Sequence, residues 1–407
     1  MANDHNPRHL VRWVLTCSVL LSACASAPPR TAPLPENLAA QATVLGSAYI
    51  RSWADEAPRY IDQWYTASDE ELQEHFSGII GREHNYLALS GGGENGAFSA
   101  GLLAGWTASG NRPEFTMVTG ISTGALIAPF AFLGPDYDAA IKEVYTNYSE
   151  QDLIKKRKLR NIVHNDALAE STPMKAVIDR FMTEEVMEKI AVEHSKGRNL
   201  VLGTTNLDAG RPVMWHIGRI AESGHPGSLE LIRRIMLASA SIPVALPPVI
   251  FDVQANGQTY QEMHGDGGVT EQVFLYPLGV DWTVIEDRLK LPGKPNVYII
   301  RNGYLEPRWK TLDRKLLPIA GSTIGSLIRT QSIGDLYRMY IGAERDGLNF
   351  NLAYIPVSFV QTQDKSSGLN YMRELYQFGY AMAVKGYPWR TSPPRVELSS
   401  HNPNSKE

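Results

Sequence analysis

The sequence predicts an α/β fold in which a mostly parallel central sheet is covered by helices on both faces. Three observations predict it. Short apolar runs alternate with helical patterns over most of the chain, the signature of strands joined by helical crossovers. Two of the strand-to-helix junctions are glycine-rich. A chain of 407 residues, 43% hydrophobic and 20% charged, can also bury a sizeable core without disulfide or metal staples.

The elements follow in order. Residues 86–89 are a short apolar strand running into Ser90-Gly91-Gly92-Gly93, and residues 97–109 are helical. Residues 115–119 form a second strand, followed by Gly120-Ile121-Ser122-Thr123-Gly124 and an apolar helix to about Leu133. Further strands are expected at 199–204, 213–216, 249–253, 297–301 and 350–355, and helices at 138–148, 174–182, 186–194, 229–240, 319–345 and 371–384. Upstream, residues 44–84 form a helical flank, with Tyr60, Ile61, Trp64 and Tyr65 at near-helical spacing. The main core spans 85–290, residues 291–390 continue the same α/β domain, and the polar, Pro-rich 391–407 is a disordered tail. No internal repeat is visible.

Net charge of −4 gives no bulk reason to expect nucleic acid as a partner. The N-terminus says more. Arg8 and Arg12 precede an apolar run, residues 13–21, of the length of a signal-peptide core. It falls short of the roughly 20 apolar residues that span a bilayer. It ends in Leu21-Ser22-Ala23-Cys24, which resembles the lipobox of bacterial lipoproteins. That resemblance implies a signal peptide over 1–23, a diacylglycerol on Cys24 that ties the chain to a membrane, and, with Ala25 rather than Asp after it, an outer-membrane destination. A plain secretory signal is the other reading, since Ala23, Ala25 and Ala27 also suit ordinary cleavage. Residues 24–43, rich in Pro and Ala, read as an extended tether. Cys17 lies within the removed segment, so with Cys24 acylated no thiol is left for a disulfide, a metal or a nucleophile.

Three glycine-rich elements carry the chemistry. Gly120-Ile121-Ser122-Thr123-Gly124 follows a strand and opens a helix, the setting of a nucleophile elbow. Gly120 and Gly124 suit the tight turn, and Ser122 falls at a helix N-terminus that favours developing negative charge. A G-x-S-x-G pattern alone is common. Gly91-Gly92-Gly93-Glu94-Asn95-Gly96 also joins a strand to a helix; consecutive glycines let several N–H groups converge, which suits an oxyanion hole. The same stretch satisfies G-x-G-x-x-G, so a nucleotide loop is the competing reading. No Lys-Ser or Lys-Thr follows it, and Glu114 precedes the second strand rather than ending it. The third element, Gly265-Asp266-Gly267-Gly268, is by itself ordinarily a turn. Three such elements in this order are harder to explain as separate turns.

Taken together these motifs resemble the patatin-like phospholipases, over roughly 85–269 and more loosely to about residue 385. The resemblance assigns Gly91, Gly92 and Gly93 to the oxyanion loop, Ser122 to the nucleophile and Asp266, followed by Gly267 and Gly268, to the proton acceptor. Residues 204–210 (Thr-Thr-Asn-Leu-Asp-Ala-Gly) and 238–243 (Ala-Ser-Ala-Ser-Ile-Pro) also look like bacterial members. The family implies a three-layer α/β/α fold and a Ser–Asp dyad without histidine. One departure is Asn95, where the family usually carries Arg or Lys; it puts head-group specificity in question more than hydrolysis.

The mechanism expected from this is a serine acyl hydrolase acting on phospholipid or another lipid ester, with no cofactor and no metal. An aspartate is a weak base at its ordinary pKa, so burial must raise it. A Ser–acid–His triad using Asp266 is nearly excluded, because the only later histidine is His401 in the tail. His264 is close enough in sequence to touch the site; His164, His194, His216 and His225 show no metal-ligand spacing. The basic run Lys155-Lys156-Arg157-Lys158 with Arg160 reads as a solvated helix face, or else as a contact to anionic lipid. A short-chain esterase, an acyltransferase and a non-catalytic envelope lipoprotein that binds lipid or protein remain alternatives.

Overall fold

Burial on both faces is what the apolar run at 86–89 demands, and the computed structural model places it at the centre of a nine-stranded sheet. The structure describes residues 30, 32–157, 166–307, 309, 311–360 and 368–394. The signal peptide, Cys24, Lys158, Arg160, His164, His401 and most of the tail lie outside the described residues.

The strands of the sheet are β1 (Arg51–Trp53), β2 (Asn85–Leu89), β3 (Met117–Ile121), β4 (Asn199–Asn206), β5 (Arg211–His216), β6 (Val249–Ala255), β7 (Gln258–Asp266), β8 (Asn296–Arg301) and β9 (Asn349–Tyr354). Their order is β1-β5-β4-β3-β2-β8-β9, with β6 and β7 forming a hairpin that joins the sheet through β4. The run β4-β3-β2-β8-β9 is parallel, and the other pairings are antiparallel. The sheet is therefore mixed around a parallel centre.

The longer helices are α1 (Ile61–Thr66), α2 (Asp69–His75), α3 (Gly96–Ala108), α4 (Thr123–Leu133), α5 (Asp138–Asn147), α6 (Thr172–Phe181), α7 (Glu184–His194), α8 (Ile217–Glu222), α9 (Ser228–Ser239), α10 (Thr283–Leu289), α11 (Leu316–Arg345) and α12 (Gly368–Val384). Alternation along β2 separates the two layers they form. Leu87 and Leu89 pack with Phe98 and Leu102 of α3, Ile127 of α4 and Leu375 of α12, whereas Tyr86 and Ala88 pack with Leu336 of α11 and Phe350 of β9. The product is a helix–sheet–helix sandwich.

Four expectations need correction. The flank expected to be helical over 44–84 contains β1, which pairs with β5 at the sheet edge; Arg51 there forms an ion pair with the buried Glu262. β7 breaks the apolar pattern because Gln258, Thr259, Gln261 and Glu262 are polar, yet Asn256-Gly257 before it, both at positive φ (48° and 74°), is a hairpin-turn pair. The segment read as a free tether is laid along that hairpin from Pro33 onward, with bridges Pro33↔Gln261 and Thr43↔Gln254 and with Leu34 against the core. Lys155 and Lys156 lie in an exposed two-residue strand paired with Ala169–Glu170 rather than on a helix, and Arg157 and Lys155 pair with Glu170.

Candidate active site

Strand register brings Ser122 and Asp266 together. One edge of β4 is filled by β5, from Val201 to Asn206. On the other edge β3 runs parallel to β4 and ends with Ile121 opposite Gly203, while β7 runs antiparallel and ends with Asp266 opposite Thr204. Two strands thus arrive from opposite directions at neighbouring positions of the same edge. The Ser122 hydroxyl donates to Asp266 Oδ2 at 2.7 Å, across 144 positions of sequence.

Ser122 stands between β3 and α4 with φ 54° and ψ −123°. A non-glycine residue there costs on the order of 1–3 kcal/mol, so its surroundings must impose it. They do so through a relay: the Ser122 N–H donates to Ser239 Oγ (3.0 Å), whose hydroxyl donates to the Gly203 carbonyl (2.5 Å). The glycines of the elbow answer to close approach. A Cβ on Gly124 would sit 2.2 Å from the Leu89 carbonyl oxygen, and one on Gly120 would sit 2.4 Å from that of Gly124. The hydroxyl lies at the positive end of α4.

Asp266 is 5% exposed. Its Oδ1 accepts the Gly268 N–H at 2.7 Å, and its main chain is held by Ser241 and Thr205. Burial pushes the carboxyl up to about 6, against the lowering effect of the hydrogen bonds from Ser122 and Gly268. Gly267 is buried at the turn, and its carbonyl accepts the Thr270 and Glu271 amides.

The triple-glycine loop lies against the nucleophile: a Cβ on Gly91 would be 3.3 Å from Ser122 Cβ. Its three amides are not equivalent. The Gly91 N–H donates to the Gln272 carbonyl at 3.0 Å, whereas those of Gly92 and Gly93 bond to no group among the described residues. This narrows the oxyanion expectation from three donors to two.

Two residues that the sequence did not single out hold this loop. Asn302, 3% exposed, donates from its main-chain N–H to Ser90 Oγ (2.8 Å) and from Nδ2 to the Ser90 carbonyl (2.9 Å). Its Oδ1 accepts Ser99 Oγ at 2.6 Å. Gln272 accepts the Gly91 amide and donates from Nε2 to the Gly268 carbonyl at 2.6 Å, tying the glycine loop to the loop after Asp266. Gln272 gave no local signal; Asn302 directly follows a predicted strand, which is the only hint. Asn95 has a structural duty: its Oδ1 accepts the Tyr371 hydroxyl at 2.6 Å and its Nδ2 reaches the Asn302 carbonyl at 3.3 Å.

His264 is fully buried but is spoken for elsewhere. Its Nδ1 pairs with Thr204 Oγ1 (2.9 Å) and its Nε2 with Glu262 (3.1 Å), and no bond runs to Ser122 or Asp266. His194 and His216 are likewise buried in structural contacts, to Arg198 and to Ser52 and Tyr60. Among the described residues, no group of three or more His, Cys, Asp or Glu is placed to hold a metal ion. A cavity of about 340 Å³ lies beyond the Gly267–Glu271 segment, lined by Met214, Phe274, Leu278 and Met339 with Glu271 and Asp335. Neither dyad residue lines it.

A strained serine at a strand–helix elbow, bonded to a buried carboxylate on an α/β sheet, defines a class: proteins built like serine hydrolases. The family model of the patatin-like phospholipases matches residues 87–278, which contain Ser122, Asp266 and the glycine loop; this part of the chain is a patatin-like phospholipase domain. That family is one of lipid acyl hydrolases. Among solved structures the chain is similar to VipD from Legionella pneumophila, at 12% identity and a TM-score of 0.36, with 75% of this chain and 67% of that one covered. No curated protein matches it.

Proposed function

We propose that this protein is a membrane-anchored lipid acyl hydrolase of the phospholipase A or lysophospholipase type, with Ser122 as nucleophile and Asp266 as general base. The observation that carries this reading is the 2.7 Å hydrogen bond from Ser122 Oγ to Asp266 Oδ2. With its carboxyl at about 6, Asp266 is largely ionised at pH 7 and still basic enough to share a proton with an attacking alcohol.

Asp266 takes the hydroxyl proton as Ser122 Oγ bonds to the ester carbonyl carbon, and the carbonyl oxygen gains the negative charge. The free amides of Gly92 and Gly93 receive that oxyanion, an effect worth about 3 kcal/mol per donor. Collapse expels the alcohol oxygen, which takes the proton from Asp266. Water then attacks the acyl-serine with Asp266 again as base, and the fatty acid leaves as Ser122 regains its proton. No step calls for a cofactor or a metal. An acyl anchor on Cys24, in a bacterial outer membrane, would keep the enzyme at high local concentration beside its substrate.

The test is to compare fatty-acid release from phospholipid vesicles with cleavage of a soluble butyrate ester, for the protein and for Ser122→Ala. The proposal expects release from vesicles that vanishes in the variant. Cleavage of the soluble ester alone would make it an esterase, transfer of the acyl group to an added alcohol would make it an acyltransferase, and neither activity would leave a binding protein.

A further inference from the structure

We infer that the N-terminal half of α11, led by Leu316, Ile324 and Leu327, is an interfacial docking element that seats the dyad on an anionic lipid surface; this inference rests on reading the domain as a lipid hydrolase. α11 runs from Leu316 to Arg345, and its two halves differ sharply. From Gln331 onward it is fixed to the site. Gln331 donates to the Val269 carbonyl at 3.3 Å, Ser332 accepts from the buried Arg301 at 2.8 Å, and Asp335 accepts the Gln272 amide at 2.7 Å.

Ahead of Gln331 the helix projects. Leu316 is 82% exposed, Ile324 56% and Leu327 66%, and Trp309 upstream is 99% exposed. At 100° per residue, Leu316, Ile319, Ile324 and Leu327 fall within one arc of about 140°, so they form a stripe rather than scattered residues. No helix among the described residues is long and apolar enough to cross a membrane, so a stripe of this kind lies on a surface.

Charge identifies the occupant. Residues 316–328 carry no charged side chain, and they are bracketed by Arg314 and Lys315 on one side and Arg329 on the other. Arg314 and Lys315 stand exposed at the helix N-terminus, where the dipole disfavours cations and where no side chain caps the first turn; Lys315 has an exposed counter-ion in Asp313 at 3.8 Å, a solvated pair that an anionic surface can replace. Cations placed against the dipole, beside unpartnered leucine and isoleucine, complement an anionic head-group layer over an acyl interior. The stripe is also close to the chemistry. Leu327 is four residues, or about 6 Å of helix, from Gln331, which bonds to Val269 on the loop after Asp266. Val269 on that loop and Ile242, next to the Ser241 carbonyl that holds Asp266, are about half exposed, so apolar surface also lies within a few residues of Asp266.

The test is hydrogen–deuterium exchange of the full chain with and without vesicles. Vesicles containing about 30 mol% phosphatidylglycerol should slow exchange across 318–328 at least tenfold, with a much smaller effect from pure phosphatidylcholine and none across α7. Leu316→Asp with Leu327→Asp, and separately Arg314→Glu with Lys315→Glu, should remove that protection; all four side chains are exposed, so the fold is not at stake. The inference is overturned if 318–328 stays unprotected while the chain floats with vesicles, or if protection survives the leucine variant. It is equally overturned if protection grows with protein concentration in the absence of lipid, which would make a second copy the occupant. Ser122→Ala must keep the protection, so a failed hydrolase reading and a failed docking reading give different results.

Discussion

Replacing Asp266 by Asn should make the protein inactive and more stable at once. A buried carboxyl moved from its ordinary 3.8 to about 6 costs on the order of 3 kcal/mol to hold ionised at neutral pH. Between those two values the folded chain binds a proton that the unfolded chain has released, so stability falls as pH rises through that window and the full penalty applies above it. Asparagine carries no such penalty. Its Oδ1 can still accept the Gly268 amide and its Nδ2 can donate to Ser122 Oγ, so both hydrogen bonds of the native carboxylate have successors. Urea unfolding should therefore show Asp266→Asn more stable than the native protein by about 1–3 kcal/mol at pH 7, with the gap closing towards pH 4. In the same samples ester cleavage should fall about 10²–10⁴-fold, the usual worth of a general base. A variant that keeps its activity, or a stability gap that does not depend on pH, would be incompatible with a buried carboxylate base at 266.

Three further outcomes follow from the same geometry. The kcat/KM for a soluble ester should rise with pH through about 6 and level off above it, as Asp266 loses its proton; a profile flat from pH 5 to 8 would assign the base elsewhere. Gly92→Ala should cut kcat at least tenfold, because the new Cβ would stand 2.3 Å from the Asn302 carbonyl and must displace the loop that presents the free amides. His264→Asn should lose stability by about 1–3 kcal/mol through its broken bonds to Thr204 and Glu262, yet retain most activity in steady-state assays on the folded fraction.

The parallel centre of the fold was legible because β2 and β3 are mostly apolar runs buried on both faces, with glycines at their ends, of which Gly92, Gly120 and Gly124 have no room for a Cβ. Gly124 is an instance: the clash of its absent Cβ with Leu89 is the physical reason the motif can be read at all. β1 and β7 were less visible, since edge and hairpin strands are held by pairing and by polar contacts such as Arg51–Glu262 rather than by apolar periodicity. The site divided in the same way. Ser122, Asp266 and the glycines carry local turn constraints that leave a mark in the sequence. Gln272, Asn302 and Ser239 reach Gly91, Ser90 and Ser122 across 181, 212 and 117 positions, and a single chain gives no means of pairing them beforehand. The difference between Gly91 and its two neighbours likewise depends on Gln272 and could not be read from three identical residues.

The proposed hydrolase depends on the hydroxyl at 122 being a nucleophile activated by its carboxylate partner. A fluorophosphonate probe followed by peptide mass mapping tests it most directly. One adduct is expected, on Ser122, absent from Ser122→Ala and strongly slowed in Asp266→Asn; an unlabelled protein, or an adduct on another serine, would rule out that role for Ser122.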